Sequence, residues 1–169
     1  MNHRKHSCQN TTSKNAFIQN TIIMRQINLL VIRCSATKEN QPFTLQVLEA
    51  SHRKRGFNGI GYHYYIRQSG EVINTRPLNR IGAHSKGYNR HSIGICYEGG
   101  LDKDGKPKDT RTPEQRAALR RLVNELLIRF PGCKVCGHRD LSPDLNHNGK
   151  VEPDEWTKQC PCFDIATEL

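Results

Sequence analysis

The chain has 169 residues, a quarter of them charged, with a formal net charge of +10 and a mean hydropathy of −0.73. That length suits one domain with a real core, and no apolar run approaches the roughly 20 residues of a membrane span. Seven cysteines, odd in number and partly set within apolar strand-like runs, argue against a secreted disulfide framework and for thiols that pack as small hydrophobes.

The positive charge is spread along the chain without interleaved aromatics, which describes a surface that favours polyanions but no specific nucleic-acid site. Residues 1–26 carry no acidic residue and lack the continuous apolar stretch of a signal peptide. They read as a disordered polar extension, or as sequence upstream of a true start at Met24. A domain over 27–169 follows.

Residues 27–32 are apolar and β-branched, as in a buried strand. Thr44 can cap a helix to about Arg55, with Gly56 just past its end. Residues 62–67 and 71–74 flank Gln68-Ser69-Gly70 and predict a hairpin; residues 92–97 predict another buried strand. Thr112-Pro113-Glu114-Gln115 is a capping box with proline at the first helical position. The stripe Ala118/Leu119, Leu122/Val123, Leu126/Leu127 and Phe130 lays that helix on a sheet. After Pro131-Gly132, a last strand delivers His138. The fold class is α/β: one domain, a mixed central sheet flanked by helices.

Six blocks stand in a telling order: Val31-Ile32-Arg33-Cys34-Ser35-Ala36-Thr37, Gly61-Tyr62-His63, Gly82-Ala83-His84-Ser85-Lys86-Gly87-Tyr88-Asn89, Ser92-Ile93-Gly94-Ile95-Cys96, Gly137-His138-Arg139-Asp140 and Lys158-Gln159-Cys160-Pro161. Together they resemble the zinc-dependent N-acetylmuramoyl-L-alanine amidases, which include phage lysozymes of amidase type and share their fold with peptidoglycan recognition proteins. The resemblance implies hydrolysis of the amide between N-acetylmuramic acid and the L-alanine of the stem peptide. It implies His138 and Cys160 as Zn2+ ligands, Tyr62 as the residue that holds or deprotonates the attacking water, and Lys158 as the cation beside the oxyanion. His84 and Asn89 fall along the implied substrate cleft. Apart from the resemblance, Tyr62 reads as a core aromatic and Lys158 as a solvated surface residue.

The chain departs from the family at Arg33, where the pattern has the third ligand histidine. A guanidinium has no free lone pair and stays protonated. One ligand is worth roughly 3 kcal/mol of zinc binding, and a cation about 4 Å from the metal adds several kcal/mol of repulsion. Cys34 and His63, each next to a site residue, should face away from it; His84 is the remaining candidate for a third ligand. Two functions follow: a peptidoglycan amidase, or a catalytically impaired homologue that binds peptidoglycan or muropeptides.

Asp144, Asn146, Asn148, Gly149 and Glu155 fit the calcium-loop pattern, giving Ca2+ as a second possible ion; a loop closed by its own Asx turns fits as well. Without a signal peptide, cytoplasmic synthesis is expected, with action on the cell wall after release or export.

Overall fold

The computed structural model describes residues 25–169. The polar extension read from composition therefore lies, except for its last two residues, outside the described residues. Arg25 is bound into the domain: its guanidinium donates to the carbonyls of Leu78 at 2.7 Å and Ser92 at 2.9 Å.

Strand β1 (Leu29–Cys34) begins two residues later than its apolar run suggests and reaches Cys34. Pairing decides this. β1 lies parallel to both β5 (Ser92–Tyr97) and β7 (Lys134–Gly137), and its register with β5 runs from Leu29↔Ser92 to Cys34↔Tyr97. The hairpin forms as β3 (Tyr64–Ile66) and β4 (Val72–Asn74), antiparallel, with β3 parallel to β5. The five-stranded sheet has the order β4-β3-β5-β1-β7. A short parallel pair, β2 (Thr37–Lys38) with β6 (Gly100–Leu101), extends beyond the ends of β1 and β5.

The two faces of the sheet bury different helices. Leu30, Ile32, Tyr64, Ile66, Ile93 and Ile95 pack against Leu119, Leu122 and Leu126 of α2 (Pro113–Arg129). The capping box forms as its sequence dictates, with Thr112 accepting from the Gln115 amide while the Gln115 side chain accepts from the Thr112 amide. On the other face, Leu48 of α1 (Leu45–Lys54) joins Ile60, Tyr62, Tyr65 and Cys96. Thr44 caps α1, and Gly56 follows at φ +82°, the left-handed conformation that ends a helix. A last short helix, α3 (Ile165–Glu168), closes the chain. Among the described residues no helix is long and apolar enough to cross a membrane.

Candidate functional site

Parallel strands release their C-terminal ends on one side, and the candidate residues gather there. Ile32 of β1 pairs with Gly137 of β7, so His138, the first residue past β7, falls beside Arg33. The His138 amide donates to the Ile32 carbonyl at 3.1 Å.

Cys160 arrives on the C-terminal segment, which three contacts hold in place. The Arg139 amide donates to the Cys160 carbonyl at 2.8 Å, the Tyr97 hydroxyl to the Pro161 carbonyl at 2.6 Å, and the Cys34 amide to Cys160 Sγ at 3.1 Å. A Cβ on Gly137 would meet the Pro161 ring at 2.5 Å, so only glycine lets the segment come this close. Nδ1 of His138 is buried without a hydrogen-bond partner. The neighbouring Cys34 thiol and burial hold Cys160 well above the ordinary cysteine range, against the pull of His138.

Strand alternation does put Cys34 in the α2-side core, away from Arg33. β1 ends at Cys34, and its thiol contacts those of Cys160 and Cys162.

Tyr62 is buried, with the His52 ring centroid 5.2 Å from its own and the Arg33 guanidinium 5.8 Å away. Burial pushes its phenol above the ordinary tyrosine range, which keeps the hydroxyl protonated and suits it to donate a hydrogen bond. Arg33 Nη1 has only a 3.5 Å contact to Ser85 Oγ, and Arg33 Nε is buried and unpartnered. Lys158 is exposed two residues before Cys160.

Beside Tyr62 and Arg33 opens a cavity of about 410 Å³, whose walls include Arg55, Phe57, His84 and Lys86. His84 fits only because Gly82 and Gly94 lack side chains, since a Cβ on either would strike its ring. Burial drives the His84 imidazole well below its ordinary range, so it is neutral. Asn89 spends its side-chain oxygen on the loop, accepting from the His84 amide at 2.9 Å and the Ser85 amide at 2.8 Å. It therefore positions that wall of the cavity. His63 is fully buried, with Nδ1 accepting from the Gly94 amide.

The calcium expectation is not supported. Asp144 accepts from the amides of Asn148 and Gly149, Asn146 from that of Asn148, and Asn148 from that of Lys150. Glu155 accepts from the amides of Leu145, Asn146 and Glu152. The loop oxygens are thus spent on the loop's own backbone, which is the Asx-turn closure.

Sequence reasoning missed Arg55 and Phe57 as cavity walls. They stand just past α1, and nothing local marks the end of that helix as facing the cleft.

A mixed sheet between helices, with Tyr62 in a cleft at the strand ends and His138 just past the end of β7, is an amidase-like fold. The sequence model of the N-acetylmuramoyl-L-alanine amidase family matches residues 24–162, and the chain belongs to that family. An uncharacterised Haemophilus influenzae protein is 48% identical over 100 residues, 59% of this chain and 86% of that one. The endolysin of Klebsiella phage KP32 is 33% identical over 141 residues, 83% of this chain and 84% of its own. Among solved structures, the N-acetylmuramoyl-L-alanine amidase LysC from Clostridium intestinale superposes with a TM-score of 0.65 at 26% identity, covering 85% of this chain and 82% of its own.

The zinc implied for this family does not fit the residues present. Among the described residues no three His, Cys, Asp or Glu side chains group to hold a metal ion. His138 and Cys160 supply two donors, and a guanidinium with no lone pair occupies the side where a third would stand.

Proposed function

We propose that this chain acts on peptidoglycan at the amide joining N-acetylmuramic acid to the L-alanine of the stem peptide. One observation carries the reading: around the end of β1, Tyr62 lies 5.8 Å from the Arg33 guanidinium in the cleft wall, the His138 amide bonds the Ile32 carbonyl, and Cys160 Sγ accepts from the Cys34 amide. Family membership and the endolysin relatives support the same bond as target. The protonated Tyr62 phenol suits a hydrogen bond to a water or to the amide carbonyl. The exposed Lys158 ammonium suits the charge that develops on that oxygen, where one such donor is worth about 3–4 kcal/mol. The cell wall would be reached after lysis or by export.

Arg33 favours a second reading, in which the cleft holds muropeptides with little or no turnover because the zinc centre is incomplete. The two are separated by incubating the purified protein with cell-wall suspensions, with and without added zinc, and measuring newly freed L-alanine amino termini. An amidase releases them under at least one of the two conditions. A binder sediments with the wall and releases none, and Arg33→His then gains release. Neither sedimentation nor release by either protein would sink both readings.

A further inference from the structure

The cavity beside Tyr62 carries one sign of charge. Arg33, Arg55 and Lys86 line it, and no Asp or Glu does. None of the three has an ion-pair partner among the described residues. Arg55 rests only on the Phe57 ring, 4.7 Å from its centroid. Two buried nitrogens in the wall also lack partners: Arg33 Nε, an obligate donor, and Nδ1 of His84, a residue 7% exposed. Those two atoms are shut off within the wall, but Arg33 is part-exposed and its outer nitrogens make no hydrogen bond beyond the 3.5 Å contact to Ser85 Oγ, so the guanidinium can take an acceptor brought from outside. A guanidinium offers two parallel N–H groups matched to a carboxylate, and nearby cations strengthen the attraction.

We propose that this cavity is a carboxylate subsite centred on Arg33, selecting stem peptides whose residue after L-alanine keeps a free carboxylate. The proposal rests on the peptidoglycan reading above. In that reading Tyr62 marks the scissile amide, and the Arg33 guanidinium lies 5.8 Å from the Tyr62 ring centroid. Two extended residues span roughly 7 Å, which brings the next residue's α-carboxylate into reach of Arg33. Where that residue is a γ-linked glutamate, walls differ in whether the α-carboxyl is free or amidated, so the subsite would sort one from the other. The residue that removes a metal ligand thereby becomes the residue that sets substrate choice.

The test is calorimetric titration, in the presence of a chelator, with N-acetylmuramoyl-L-alanyl-γ-D-glutamyl-L-lysine and with its α-amidated counterpart, N-acetylmuramoyl-L-alanyl-D-isoglutaminyl-L-lysine, in which the γ-carboxyl is bonded alike and only the α-group differs. The wild-type protein should bind the acid about tenfold more tightly or better, the scale of a charge-assisted hydrogen bond. Arg33→Gln should bind both at the level of the amide, and Arg33→Lys should keep part of the preference. Equal binding of the two ligands by the wild type overturns the subsite without needing any variant to fold. A preference that survives in a folded Arg33→Gln overturns the role of Arg33. If neither ligand binds the wild type, the peptidoglycan reading itself fails, and the subsite with it.

Discussion

Replacing an imidazole by a guanidinium at position 33 exchanges a lone pair for a fixed positive charge. His138 and Cys160 still meet, but two donors beside a cation hold a divalent metal poorly. Restoring the histidine adds a ligand worth roughly 3 kcal/mol and removes the repulsion. Arg33→His should therefore bind zinc about a hundredfold more tightly or better, read by competition against a fluorescent chelator. Equal affinity in the two proteins would mean that some other feature limits the metal. At this scale much of the site is legible in the sequence, because the motif blocks carry His138, Cys160 and Tyr62 with them. What the sequence hides is the state of those groups. That Tyr62 is held protonated follows from its burial against the sheet, and that the oxygens of Asp144 and Glu155 are already spent follows from loop geometry.

Among the elements, strand pairing and helix caps account for most of the outcome. The capping box at Thr112, the Thr44 cap and the 92–97 strand form where local chemistry places them. The offset of β1 comes from its two parallel neighbours, which no local propensity reports. The slot for His84 is equally invisible, because it is made by absent side chains on Gly82 and Gly94. A Cβ on Gly94, in the buried strand β5, would lie 2.5 Å from the His84 ring. Gly94→Ala should therefore cost about 1–3 kcal/mol, the usual penalty of overpacking, measured as a lower urea midpoint at unchanged slope. An unchanged midpoint would show that the His84 ring moves aside freely.

Across the whole molecule, buried neutral imidazoles tie the fold to pH. His63 is fully buried; its Nδ1 accepts from the Gly94 amide at 3.0 Å and its Nε2 donates to the Arg80 carbonyl at 2.9 Å. Burial, aided by Arg25 and Arg76, lowers it from 6.5 to about 4. His52, whose Nδ1 accepts from the Gly61 amide, is lowered to about 4 as well, by burial and by Arg55, Arg33 and Arg76. Between pH 6.5 and 4 the unfolded chain takes up protons that the folded chain refuses. Stability is thus complete above about pH 6.5 and is lost as the pH falls toward 4. His63 alone accounts for about 3 kcal/mol of that loss, and His52 acts in the same direction. Urea unfolding at pH 7.5, 6 and 5 should show midpoints falling with each step, while the His63 ring resonances stay those of a neutral imidazole down to about pH 5. Constant midpoints across that range, or a His63 that titrates near 6.5 in the folded protein, would mean that its cavity admits the charged ring.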